Sequence, residues 1–221
     1  MDDYLTEKEQ WERIKAFIRQ EGPWVLVAVA IVVIGFNGWQ WWQNRGEQHA
    51  QDASARYEQV LLTLEQGNRE RGLALIDALR RDYPGSPYVD QADLVAARVF
   101  VEQGDLDKAA SRLRAVSQSS RDPGLAIIAK LRLARVQISA GKPQEALATL
   151  GPSDGGAFAA SFHEVRGDAY LANGDKPAAL REYLAAQLTA GAAGATNELL
   201  TLKIQDLAGE GHGGPPAAAA R

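Results

Sequence analysis

The sequence predicts an all-α protein in which a single N-terminal transmembrane helix precedes an α-solenoid of about four helix pairs and a capping helix. Two observations carry this prediction. Residues 22–44 form one apolar run that no charged residue interrupts. Beyond that run, four glycines recur at intervals of 37, 37 and 33 residues, and each follows a segment whose apolar residues have helical spacing.

The apolar run has the length of one bilayer crossing. From Trp24 to Trp42 it counts 19 residues, which cover about 28 Å in a helix, close to the roughly 30 Å of hydrocarbon in a membrane. Trp24 at one end and Trp39, Trp41 and Trp42 at the other are expected to lie among the lipid headgroups. A cleaved signal peptide and a buried core helix are the weaker alternatives. Six acidic residues precede the run, where a signal peptide has a short basic start.

The distribution of Lys and Arg around the run predicts its orientation. Four basic residues precede it and two follow it at a comparable distance, and the side richer in basic residues stays in the cytoplasm. Residues 1–21 then form a cytoplasmic amphipathic stub, residues 22–44 the helix in a bacterial inner membrane, and residues 45–208 a periplasmic domain. The absence of cysteine suits that compartment.

The exported part is predicted to be a tetratricopeptide-like repeat domain, because a tetratricopeptide unit has about 34 residues. In each unit a small residue follows the glycine by five positions and a large apolar residue follows it by nine. This pattern lets two antiparallel helices pack closely and leaves an apolar face for the next pair. The predicted helix pairs cover residues 50–83, 88–119, 123–151 and 157–190; a capping helix covers 194–208 and a disordered tail covers 209–221.

Local signals at the helix ends agree with this frame. The glycines that end the first helix of each pair are expected in the left-handed conformation. Asp105 and Asp175 are predicted N-caps of the second helices, and Pro143 lies in a first turn, where its missing N–H does no harm. The four frame glycines are Gly67, Gly104, Gly141 and Gly174.

The inventory of reactive residues favours a binding protein over an enzyme. The three histidines are scattered, and no segment has the spacing of a zinc site, a phosphate loop or a nucleophile elbow. We therefore predict no catalytic residue, no metal and no cofactor. The net charge of −4 also argues against a nucleic-acid partner.

The first helices of the repeats supply the candidate partner-binding residues, since a solenoid presents these helices along one concave face. Arg98 and Arg135 occupy equivalent positions before the frame glycines, and Leu94 and Leu131 precede them by four residues. This stripe suits a peptide backbone or an acidic side chain, and Asp168 is the equivalent residue of the fourth repeat. The alternative, which stays open, is that the arginines are solvated residues paired with local acids such as Glu102.

The chain resembles the YfgM-type ancillary subunits of the bacterial SecYEG translocon. The resemblance rests on the order of stub, span and repeats, and on three runs of sequence: residues 11–17, 131–137 and 166–176. It implies an inner-membrane protein beside the SecYEG channel whose repeats meet emerging chains and the periplasmic chaperone PpiD.

The resemblance also implies a second function. In that alternative the cytoplasmic stub binds a response regulator and the chain restrains an envelope stress-response pathway. A third and weaker idea, a scaffold for envelope assembly, rests on the Pro-rich turn at residues 83–88.

Overall fold

The computed structural model describes residues 49–152, 155–192 and 197–210, together with residues 11, 15 and 31–36. The chain divides into two units, Met1–Asp52 and Ala53–Arg221. In the first unit, residues 11, 15 and 31–36 are helical and exposed. The ammonium of Lys15 lies 5.8 Å from the ring centroid of Trp11, as expected for residues four apart on one helix face.

Most of the predicted membrane anchor lies outside the described residues, including Trp24, Trp39, Trp41 and Trp42. Within the part that the structure describes, no helix has the length and apolar character needed to cross a bilayer.

The second unit consists of consecutive helix pairs, and its described residues contain no strand. The helices are α1 (described from 49 to 65, of which 53–65 belong to this unit), α2 (Arg69–Asp82), α3 (Pro87–Glu102), α4 (Leu106–Ser119), α5 (Pro123–Ser139), α6 (Pro143–Leu150), α7 (Ala159–Ala172), α8 (Lys176–Ala192) and α9 (Glu198–Glu210). From α2 onward each helix packs against the next one along the chain, and the first helices of neighbouring pairs also touch, α3 with α5 and α5 with α7. The all-helical solenoid is thus confirmed.

The helix ends follow the predicted signals. The four frame glycines have φ values of +80°, +79°, +72° and +84°, so a side chain there would be strained. Asp105 accepts a hydrogen bond from the backbone N–H of Lys108 at 3.1 Å, and Asp175 accepts one from Ala178 at 3.0 Å. Pro143 begins α6. The predicted caps are therefore confirmed.

The C-terminal end differs slightly from the prediction. The capping helix is α9, which begins at Glu198 and continues to Glu210, two residues into the segment predicted to be disordered. A difference of two residues at a helix end is within the spread with which helix boundaries are assigned. Residues 211–221 lie outside the described residues.

The large apolar residue that follows each frame glycine by nine positions is buried on the second helix of its pair. The large residues Ile76, Leu113, Leu150 and Tyr183 are at most 2% exposed, and burying each contributes roughly 1.5–3 kcal/mol. The two helices of the fourth pair approach closely, because a Cβ on Gly167 would overlap the ring of Tyr183, and in the first pair a Cβ on Gly72 would overlap the side chain of Leu64. Tyrosine, the largest side chain of the four, thus faces the residue with no side chain.

A cluster of ion pairs around the buried Asp93 joins the first repeat to the second. Asp93 on α3 is only 3% exposed and lies 3.0 Å from the guanidinium of Arg112 on α4 and 3.4 Å from that of Arg80 on α2. Arg112 also contacts Asp77 at 2.6 Å. We call these four residues the Asp93 cluster.

Opposing effects set the pKa values in this cluster. Burial raises the pKa of Asp93, and the charges of Arg80 and Arg112 only partly offset it, so the pKa remains above its usual value. Burial lowers the pKa of Arg112, but its bonds to Asp77 and Asp93 outweigh that effect and the net pKa is raised. The carboxylates of Asp77 and Asp93 therefore both favour the charged form of the Arg112 guanidinium.

Replacing Gly167 by alanine should lower the free energy of unfolding by about 1–3 kcal/mol, because the new methyl group forces the buried ring of Tyr183 to move. Gly191→Ala is the matched control. Its Cβ would meet nothing within 4 Å, so a stabilising change of at most about 1 kcal/mol is expected. Thermal unfolding of the full-length protein, followed by helical circular dichroism, measures both. Equal stabilities of the two variants would contradict the proposed fit.

The variant Arg112→Ala should destabilise the protein by roughly 2–4 kcal/mol, because it leaves the buried Asp93 with Arg80 alone. Arg114→Ala removes an exposed arginine from the same helix and should change stability by no more than about 0.5 kcal/mol. Urea unfolding of the three proteins at neutral pH makes the comparison. If Arg112→Ala lowers the free energy of unfolding no more than Arg114→Ala does, the Asp93 cluster does not stabilise the protein.

Candidate partner-binding site

A groove lies between the first helices of the second and third repeats. Its volume is about 300 Å³. We call it the α3–α5 groove, because eight of its nine lining residues belong to these two helices and the ninth, Leu113, comes from α4. The lining residues are Leu94, Ala97, Arg98, Val101, Glu102, Leu113, Arg132, Arg135 and Val136.

The floor of the groove is apolar. Leu94 and Val136 are 8% and 7% exposed, and Leu113 is 2% exposed, so the core of the solenoid itself forms the floor. Val101, by contrast, is 43% exposed and leaves an apolar surface at the edge. The groove can therefore remove an apolar side chain of another molecule from water.

Charged groups form the rim. Arg98 donates to Glu102 at 2.9 Å, and Glu102 also contacts Arg69 of α2 at 3.5 Å. The carboxylate of Glu102 is therefore shared by two arginines. Arg132 and Arg135 are exposed, and neither forms an ion pair with any described residue.

A second groove continues along the same face between α1 and α3, with a volume of about 350 Å³. Leu61, Leu64 and Glu65 of α1 line one side of it. Arg98 and Glu102 line both grooves, so their ion pair lies at the boundary between them. The first helices of three successive repeats thus form one continuous surface.

The structure brings together three of the five predicted partner-binding residues. Leu94, Arg98 and Arg135 all line the α3–α5 groove. Leu131 is 5% exposed and belongs to the core between α5, α6 and α7, so it lies beneath the surface. Asp168 lies on α7 and has partners of its own. The local pairing with Glu102, which the sequence left open, is present for Arg98; for Arg135 it is absent from the described contacts.

Sequence reasoning missed Arg132. Arg132 and Arg135 are three residues apart, a spacing that puts both on one face of a helix, and this signal was available in the run 131–137. The repeat alignment selected Leu131 instead, because it followed equivalence with Leu94. Leu131 is covered because α7 packs against α5 and residues of α6 and α7 surround it.

Asp168 on α7 binds the capping helix α9. Its carboxylate accepts a hydrogen bond from the hydroxyl of Tyr183 at 2.7 Å and one from the ammonium of Lys203 on α9 at 2.7 Å. The same ammonium donates to Glu164 at 2.9 Å and lies 5.3 Å from the centroid of the Tyr183 ring. We call these four residues the Lys203 cluster.

The pKa shifts in the Lys203 cluster follow from burial and charge. Burial raises the pKa of Tyr183 strongly, and the hydrogen bond to Asp168 and the charge of Glu164 add to the effect. Burial lowers the pKa of Lys203, but its bonds to Asp168 and Glu164 outweigh this, so the net pKa is raised. Both proton donors are therefore kept protonated in the folded protein.

The described residues contain no group of three His, Cys, Asp or Glu side chains that could hold a metal ion. Within those residues the chemistry available at the groove is hydrogen bonding, ion pairing and apolar contact.

The chain matches the model of the tetratricopeptide repeat-like domain over residues 15–209. It is 30% identical to the ancillary SecYEG translocon subunit of Escherichia coli (strain K12) over 207 residues, which cover 94% of this chain and 99% of that protein. This chain belongs to the family of ancillary SecYEG translocon subunits. The resemblance predicted from the sequence is confirmed.

A further relative agrees with this family assignment, and a solved structure agrees with the fold. The ancillary SecYEG translocon subunit of Aggregatibacter actinomycetemcomitans is 29% identical over 203 residues, covering 92% of this chain and 98% of that protein. The structure of MamA from Desulfovibrio magneticus RS-1, from residue 41 to its end, has a TM-score of 0.51 and 13% identity, with 73% of this chain and 97% of that chain covered. At that identity the likeness concerns the fold alone.

The Lys203 cluster predicts a loss of stability at high pH. A pKa that folding raises contributes stability that is complete below the unfolded pKa and is lost as the pH rises through the folded one. For Tyr183 and Lys203 this loss of stability should begin at pH ~10. Tyr183→Phe should lower the free energy of unfolding by about 1 kcal/mol at neutral pH. In the alkaline range, the free energy of unfolding of this variant should fall less steeply with pH than that of the unchanged protein.

Chemical unfolding of the full-length protein and the variant, measured across neutral and alkaline pH, provides the test. Identical slopes for the two proteins in the alkaline range would show that the phenol of Tyr183 has no part in the pH dependence.

Proposed function

We propose that this chain is an ancillary subunit of the Sec translocon, a scaffold without catalytic activity that is anchored in the bacterial inner membrane. The match to curated ancillary SecYEG translocon subunits over nearly the full length of both chains carries this proposal. Because the match includes the N-terminal segment as well as the repeats, the shared order of parts supports a shared function more strongly than repeats alone could.

The described piece of the apolar run supports the anchor. Residues 31–36 are helical, and Ile31, Val32 and Ile34 are each at least 65% exposed. Such side chains gain roughly 0.3–0.6 kcal/mol each on entering the hydrocarbon of a membrane. We propose that residues 22–44 cross the inner membrane with residues 1–21 in the cytoplasm and the repeats in the periplasm.

The groove supports a scaffold function. An open apolar floor with charged edges, built on the first helices of successive repeats, is suited to hold a segment of another protein. In this proposal the repeats hold emerging chains or the periplasmic chaperone PpiD near the channel.

The second candidate is regulation of an envelope stress response through the stub. One observation favours it: Trp11 is helical and 59% exposed, and exposed aromatic residues are common in protein interfaces. Deleting residues 2–20 separates the two candidates. Loss of a stress phenotype with channel association intact would favour regulation, whereas unchanged stress signalling would leave the scaffold as the function.

Photo-crosslinking in native membranes tests the scaffold. A photoreactive amino acid is placed in turn at Ile31, Val32, Val33 and Ile34, which together cover every face of the helix. We expect channel subunits to be captured from one face. At Val101, at the edge of the groove, we expect adducts with a periplasmic chaperone or an exported chain.

The same amino acid at Arg114, an exposed position of α4 outside the groove, is the control for nonspecific capture. If neither the helix positions nor Val101 yields adducts above this control, the translocon function is wrong.

A further inference from the structure

We propose that the α3–α5 groove selects acidic segments of partner proteins, seating one apolar side chain on its floor while neighbouring carboxylates pair with Arg132 and Arg135. This inference rests on the proposed scaffold function and specifies the chemistry of what the scaffold holds.

The size of the groove fixes how much of a partner it can take. About 300 Å³ is the lower limit of pockets that enclose whole small molecules. The floor contributed by Leu94, Leu113 and Val136 is apolar, so the part of a partner that enters should be an apolar side chain. The charged residues lie around that floor and meet the residues that flank it.

The charges around the groove are unbalanced. Three arginines and one glutamate line it, and the glutamate, Glu102, is already shared between Arg98 and Arg69. Arg132 and Arg135 lie on neighbouring positions of one helix face, where two like charges repel. A carboxylate between them would relieve that repulsion and accept charge-assisted hydrogen bonds from both guanidinium groups.

The local excess of positive charge contrasts with the net charge of the whole chain, which is −4. It also contrasts with the Asp93 and Lys203 clusters, where Arg112 on α4 and Lys203 on α9 are each matched by two acids. Among the described residues no aromatic side chain lines the groove, so this part of the chain offers there no stacking surface of the kind that single-stranded nucleic acids require. Acidic protein segments therefore fit this surface better than nucleic acid does.

Peptide binding to the full-length protein in detergent tests the proposal. The probe is a short labelled peptide in which glutamates flank one central leucine. Three matched peptides replace the glutamates by glutamine, the glutamates by lysine, or the leucine by glycine. Fluorescence anisotropy should show the glutamate–leucine peptide binding at least about tenfold more tightly than each of the others at low salt.

The variant R132E/R135E should weaken binding of the acidic peptide by at least about tenfold and should now favour the lysine peptide. R114E/R181E is the matched control, because it makes the same change of net charge at two exposed arginines outside the groove. Its affinity should stay within about twofold of the unchanged protein. Circular dichroism checks folding, and R132Q/R135Q replaces the charge reversal if that variant does not fold.

Three results would overturn the proposal: no saturable binding of the acidic peptide up to ~1 mM, equal affinity for the glutamate and glutamine peptides, or equal losses in R132E/R135E and R114E/R181E. The channel adducts expected at residues 31–34 distinguish a failure of this proposal from a failure of the translocon function. If those adducts form and the peptide test fails, only the groove chemistry is wrong. If the peptide binds but neither residues 31–34 nor Val101 yields adducts above the Arg114 control, the translocon function is wrong.

Discussion

The fit of a large side chain on one helix against a small residue on its partner is the constraint on which the repeats depend. Gly167 against Tyr183 and Gly72 against Leu64 show this fit, since a Cβ at either glycine would overlap the side chain opposite it. Close approach of the two helices leaves each pair with an apolar face that only the next pair can cover. Stacking then brings α3 and α5 into contact, and the α3–α5 groove lies along that contact.

Charged residues have two distinct roles in this chain. In the Asp93 and Lys203 clusters, opposite charges on different helices meet around a side chain of low exposure, 4% for Asp93 and 23% for Lys203, and losing a partner would leave that charge less well paired. At the groove, Arg132 and Arg135 are exposed and have no ion pair among the described residues. The first kind fixes the relative positions of helices, and the second kind remains available to a partner.

The proposed function gives the two parts of the chain different tasks. The apolar side chains exposed at residues 31–36 would lie in lipid, whereas the repeats bury their apolar residues against one another. Such an anchor would raise the local concentration of the repeats near the membrane, so a groove of modest affinity could still hold passing segments. Weak and reversible binding suits a scaffold that must release what it holds.

Periodicity and local chemistry allowed the sequence alone to determine the helix pairs, the left-handed glycines, the caps at Asp105 and Asp175 and the family, because each depends on residues close together along the chain. Only the tertiary structure decided which residues of the first helices remain uncovered. Leu131 is buried by the next repeat and Asp168 is bound by Lys203, whereas Arg132 joins the groove. The spacing of Arg132 and Arg135 places them on one helix face, but exposure depends on partners from distant parts of the chain, which local spacing does not determine.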